Sequence, residues 1–143
     1  MDYRRFGAKL LVRLDKGEDI VESVKRLCRE ADIRLAVVSG IGALDYVSVG
    51  LFEQGTKQYH TKEFSGSMEI TGLAGNATRM KGEVYLHLHI VLTDASYAAF
   101  GGHLNKGRVG ATAELVLEIL DGEAEREYDE VTGLNLIGFA GDE

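Results

Sequence analysis

Three of the four histidines, His87, His89 and His103, fall close together in the sequence. Neutral imidazole suits divalent transition metals and binds zinc at about 2.0–2.1 Å. Two of the three stand in Val84-Tyr85-Leu86-His87-Leu88-His89-Ile90-Val91-Leu92. Read as a strand, this puts Val84, Leu86, Leu88, Ile90 and Leu92 on one face and Tyr85, His87, His89 and Val91 on the other. Two residues of rise separate the two histidine backbones by about 6.6 Å, near enough for the imidazoles to lean onto one ion. Two ligands are too few for a stable zinc site, and the candidate third is His103 in Phe100-Gly101-Gly102-His103-Leu104. The connection Thr93–Ala98 is short enough to return the chain as a hairpin partner, and the two glycines remove bulk where another group must approach. Three neutral histidines plus water would make an open tetrahedral site, the set that activates water and supplies a Lewis acid. Two histidines on one strand face can also be coincidence or a pair that contacts a partner, and His60 reads as an ordinary surface or satisfied residue. Glu69, Glu114 and Asp94, in or beside strands, are candidates to hold a ligand's free ring nitrogen; a solvated strand face also explains each.

The elements that must position these residues are mostly strands. One helix is clear from Glu18 to Ala31, where Ile20, Val21, Val24, Leu27, Cys28 and Ala31 follow helical spacing. Asp15, with Glu18 three positions on, resembles a capping box at its start. Cys28 lies on the apolar stripe and reads as a buried small hydrophobe. Lys9–Leu14 and Arg34–Ser39 flank the helix and suggest a β-α-β opening. Further strands are predicted at Tyr46–Glu53, Met68–Leu73, Glu83–Leu92, Ala111–Leu120 and Leu134–Phe139. Turn signals separate several of them, at Glu53-Gln54-Gly55, Leu73-Ala74-Gly75-Asn76 and Asn105-Lys106-Gly107. The expected class is α+β, a mainly antiparallel sheet with one long helix and at most one short second helix.

Whole-chain properties narrow the function. The 143 residues form one expected domain, residues 1–143, with 45% apolar and 27% charged residues, as in ordinary globular proteins. There is no proline, so 18 glycines with asparagine and aspartate must make the turns. A single cysteine excludes an intrachain disulfide and a cysteine-based zinc ribbon. Neither a signal-peptide h-region nor an apolar run of bilayer length is present, so the expected location is cytoplasmic, without membrane contact. The formal net charge is −7, the basic residues are scattered, and Asp121–Glu130 is mostly acidic. DNA as a partner therefore finds no support in the charge, because phosphate binding draws on clustered Lys and Arg. The segment Ser39-Gly40-Ile41-Gly42-Ala43 has a G-x-G, but Asp45 stands where a dinucleotide fingerprint needs its third glycine and no helix follows. A tight turn near the sheet explains it better.

With these residues the chain resembles the PPC (plants and prokaryotes conserved) domain family, also called domain of unknown function 296, in its prokaryotic single-domain form. The resemblance runs roughly from Tyr3 to Leu120. It rests on the order and spacing of Gly17-Glu18-Asp19-Ile20, Ser39-Gly40-Ile41-Gly42-Ala43, Met68-Glu69-Ile70-Thr71-Gly72-Leu73-Ala74-Gly75, His87-Leu88-His89, Gly101-Gly102-His103-Leu104 and Ala113-Glu114-Leu115-Val116-Leu117. It implies a large antiparallel sheet, assembly as a homotrimer, and a metal ion at His87, His89 and His103. Plant members carry AT-hooks, short Arg-Gly-Arg-Pro minor-groove binders, and a chain without proline has none. The expectation is therefore a zinc-binding (or other divalent-metal-binding) homotrimeric domain. A DNA-associated regulatory protein is the alternative, and a metal-dependent enzyme using activated water a further one. A cupin, which also uses H-x-H on a strand, fits less well, since Ile90–Thr93 offers no carboxylate and its proline-containing turn is missing.

Overall fold

The computed structural model describes residues 1–139. In chain order the elements are β1 (Asp2–Phe6), β2 (Lys9–Asp15), α1 (Ile20–Glu30), β3 (Ala36–Glu53), β4 (Gln58–Met80), β5 (Glu83–Thr93), β6 (Ala99–Ile119), β7 (Glu125–Asp129) and β8 (Leu134–Gly138). All eight strands belong to one sheet, ordered β1-β2-β6-β3-β4-β7-β8, with β5 joining β4 to β6. Pairing is antiparallel except at one contact, Arg79 with Glu125. The expected class holds, with α1 the one helix among the described residues and no short second one. No helix is long and apolar enough to cross a membrane.

Four long strands close on themselves. β3 pairs with β4 and β6, and β5 pairs with the same two, so β3, β4, β5 and β6 form a circuit. Two predicted turns do not exist: Leu73–Asn76 lies inside β4 and Asn105–Gly107 inside β6. Their glycines serve close packing instead of reversal. A Cβ on Gly75 would run into the His87 carbonyl and approach the Leu88 Cα to 2.8 Å, and one on Gly107 would press on Leu44 and Leu104. The G-x-G behaves likewise. At Gly40 and Gly42 the β3–β6 backbones approach so closely that a Cβ would meet Leu115 or Ala113, and Gly42 has φ of +150°. The strand–helix–strand opening is present in order only, since β6 lies between β2 and β3 in the sheet.

Alternation makes the core. Leu10, Val12 and Leu14 of β2, Leu88, Ile90 and Leu92 of β5, and Ala113, Leu115 and Leu117 of β6 are all buried. Against them α1 lays Ile20, Val24, Leu27 and Cys28. The helix starts later than its apolar spacing suggests, because Asp19, not Asp15, is the cap. Its carboxylate accepts from the Glu22 N–H at 3.0 Å and from the Gly107 N–H of β6 at 3.0 Å. The Asp15–Glu18 pair forms a separate contact, with the Asp15 N–H donating to Glu18 at 2.9 Å. Burial pushes the Cys28 thiol up to about 11, which leaves it a packing group.

Gly75 lies at the strand pair that carries His87. Gly75→Ala should lower the unfolding free energy by about 1–3 kcal/mol in urea denaturation, as overpacking does. Gly55→Ala, where an added Cβ meets nothing within 4 Å, should change it by less than about 0.5 kcal/mol.

Candidate metal centre

The antiparallel register does the positioning. β5 and β6 are joined through the turn around Asp94–Ala98, and the pairing sets His89 directly opposite His103. Directly opposed residues share a face. On β5 the apolar set Leu88, Ile90 and Leu92 turns inward, so His87 and His89 turn outward, as alternation predicts. Gly101 and Gly102 let β6 settle: a Cβ on the first would strike the Ile90 carbonyl, and one on the second would come within 2.6 Å of the Gly50 carbonyl.

The three imidazoles converge. One ligand atom from each of His87, His89 and His103 lies within 4.8 Å of the others. The His87 and His89 Nε2 atoms are 3.1 Å apart, one donating to the other according to tautomer. A tetrahedral zinc with Zn–N bonds of about 2.1 Å spaces its nitrogens about 3.4 Å apart. The His87–His89 pair already has that spacing, and a small side-chain swing brings in the third. The donor set therefore fits a borderline metal ion with one position left open. His60 does not join the cluster; it is exposed, 3.5 Å from the Glu53 carboxylate.

The carboxylate candidates do not reach the imidazoles. Asp94 caps the β5–β6 turn, accepting from the Ser96 N–H at 2.8 Å and the Ala98 N–H at 3.2 Å. Glu69 pairs with Ala43 and Thr93, and Glu114 with Arg13 and Ile41, in rows away from the histidines. Among the described residues, the groups placed around the site are neutral or cationic. Asn76 stands opposite His87 on β4. Asn105 occupies a bulge in β6, where Ser48 pairs with Lys106 but Val49 with Leu104, and it accepts a hydrogen bond from the Tyr59 hydroxyl. The Tyr59 ring meets His103 edge-on at 6.1 Å. The charge of Arg126, from β7, reaches His87. Sequence reasoning treated both asparagines as turn formers and did not single out Tyr59 or Arg126.

Burial first, then the charges of His87 and His89, depress the His103 pKa to about 4. His87 is lowered as well, by burial, then by His89 and Arg126. Both imidazoles are thus held in the neutral, metal-ready form.

A β-dominated domain whose closed sheet carries three convergent imidazoles on its outer face defines the class. Residues 1–121 match the Plants and Prokaryotes Conserved (PCC) domain, and the chain belongs to that family. Three solved structures share its fold closely. A Bacteroides thetaiotaomicron protein, named only provisionally as DNA-binding, is 34% identical with a TM-score of 0.94, covering 96% of both chains. A metal-containing protein from Archaeoglobus fulgidus is 33% identical with a TM-score of 0.85, over 97% of this chain and 99% of that one. A plant- and prokaryote-conserved protein from Pyrococcus horikoshii is 29% identical with a TM-score of 0.84, over 98% and 95%. Among curated relatives, the bifunctional protein GlmU of a Synechococcus strain is 31% identical over 125 residues, 85% of this chain but 19% of that protein. The chain thus spans about a fifth of that relative's length.

The depressed values fix a pH dependence. Between about 4 and 6.5 the unfolded His103 binds a proton that the native one does not, so this residue's contribution to stability is lost as pH falls through that window. In metal-free protein the His103 ring signals should titrate near pH 4 by NMR; a midpoint at 6.5 would contradict the buried, neutral imidazole.

Proposed function

We propose that this chain is a metal-binding module, with zinc held by His87, His89 and His103 and three copies assembled around a shared sheet face. The observation that carries it is the convergence of three ligand nitrogens within 4.8 Å on paired strands whose register sets His89 opposite His103. The name of the Archaeoglobus relative as metal-containing supports it. Bound zinc would supply a Lewis acid with one open position.

Self-association finds support on the same face. In register, Leu11, Val116, Ser39, Ala74, His89 and His103 form one row across the sheet. Around that row Leu11, Val37, Ile41 and Val91 are 45–57% exposed. Exposed apolar groups set along the outer face of a sheet favour burial against another surface.

A DNA-associated role is supported by the provisional name of the Bacteroides relative and opposed by the charge of −7. Binding to random duplex that weakens steeply with salt would favour it; no mobility shift at low salt would remove it.

Two measurements test the main reading. Native mass spectrometry with metal analysis should find one zinc per chain after reconstitution, lost in His89→Ala. Substoichiometric metal, unaltered by that substitution, would overturn it. Sedimentation equilibrium should give three times the chain mass, and Ile41→Glu should return it to one.

A further inference from the structure

Beside the three histidines lies a charge that no carboxylate of the described residues pairs with. Arg126 of β7 is 6% exposed, and its guanidinium bonds only to neutral acceptors. Its Nε donates to the Thr78 hydroxyl at 2.9 Å, Nη2 to the Asn76 side-chain oxygen at 2.9 Å, and Nη1 to the Asn135 carbonyl at 2.8 Å. Its Cζ sits 4.8 Å from the Tyr85 ring centroid. Among the described residues no carboxylate lies within ion-pair distance of it. A guanidinium has five N–H donors, so one on each terminal nitrogen is left over.

Register sets this guanidinium next to the imidazoles. Asn76 pairs with His87, and Thr78 pairs with Tyr85, so all four share the outer face. Tyr85, His87 and His89 follow one another along β5 at about 6.6 Å per step. The charge over Tyr85 is therefore one step from the metal ligands. The strands β7 and β8 that bring it form a hairpin outside the family match, which ends at residue 121. The hairpin's far end meets the β3–β4 turn, where the Lys57 ammonium donates to the Glu130 carbonyl at 2.7 Å.

A buried cation is unfavourable unless compensated. A staple to three neutral acceptors would not need the charge, since neutral donors could make the same bonds. Imidazoles supply no negative charge, and a divalent ion held by them would add two positive ones. This cluster of side chains calls for an anion.

We infer that Arg126 is the carboxylate-receiving group of a ligand site built around the three histidines, and that the ligand is a small hydroxy- or oxo-carboxylate. The carboxylate takes the two remaining guanidinium N–H groups, a planar fork that matches it. The ligand's second oxygen, one or two carbons away, spans the single strand step to the metal. This second contact rests on the metal reading above; the first does not.

Lactate and propane-1,2-diol, which differ in the carboxylate, are the probes. In protein loaded with cobalt(II), lactate should shift the visible absorption saturably and the diol should not at equal concentration. Arg126→Gln should weaken lactate roughly 10- to 100-fold with metal content unchanged. Arg126→Lys, keeping charge without the fork, should fall between. Equal binding of lactate by Arg126→Gln, equal binding of the diol, or no response to lactate would overturn the inference. If the wild-type protein takes up no metal, the metal reading fails by itself, and the carboxylate contact is read in metal-free protein. Lactate should then move the Arg126 Nε–H resonance; an unmoved resonance overturns the receptor role, including where both variants fail to fold.

Discussion

The pairing of His89 with His103 across β5 and β6 is the constraint on which the rest of the site depends. A slip of one residue in an antiparallel pair turns every side chain to the opposite face. Here it would bury imidazoles and expose Leu88 and Ile90, so the apolar core polices the geometry of the polar site. Glycines tighten this arrangement from both sides. Gly75 lets β4 lie against His87, while Gly101 and Gly102 let β6 lie against Ile90 and Gly50. The bulge at Asn105 then turns an amide oxygen to the Tyr59 hydroxyl beside the third imidazole. The convergence of the three imidazoles is a product of ladder register and close backbone approach, all three lying on strands.

Electrostatically the site runs against the whole molecule. The chain carries −7, yet its acidic side chains take other work: Asp94 caps a turn, Asp19 caps the helix, and Glu53 lies beside His60 and Thr56. Around the imidazoles stand asparagine, tyrosine and a buried guanidinium. That distribution keeps His87 and His103 below their ordinary titration range, because burial and like charge both disfavour protonation. His87 and His103 thus present unprotonated nitrogens within a chain of net negative charge.

How much was legible in the sequence follows from the range of each interaction. His87 and His89 could be paired from alternation alone, since strand period is a local property. His103 needed the glycine context and the resemblance, and the sheet placed it opposite His89. Helix α1 was visible in its stripe, but its cap was misplaced by four residues: Asp15–Glu18 and Asp19–Glu22 offer the same cap pattern, and the contact of Asp19 with Gly107 distinguishes them. The false turns at Leu73–Asn76 and Asn105–Gly107 came from a glycine and an asparagine within two residues of each other, residues that serve turns and close strand contacts equally well. Strand β7 lies in the acidic stretch and lacks an apolar alternation. Arg126 was invisible for that reason, its partners Asn76, Thr78 and Tyr85 being some forty to fifty residues away.

The closed circuit of β3, β4, β5 and β6 also governs how the chain must reach its native state. The β1–β2, β3–β4 and β4–β5 hairpins can form from neighbouring sequence, but the other edge of β2 pairs only with β6, where Lys9 pairs with Glu118 and Asp15 with Thr112. Ala36 likewise waits for Ile119. Such distant pairings must cross a loop-closure barrier before they return any contact energy, which slows folding toward milliseconds to seconds. During synthesis the first half of the chain therefore emerges with unpaired strand edges, and the last long strand to leave the ribosome is the one that joins them.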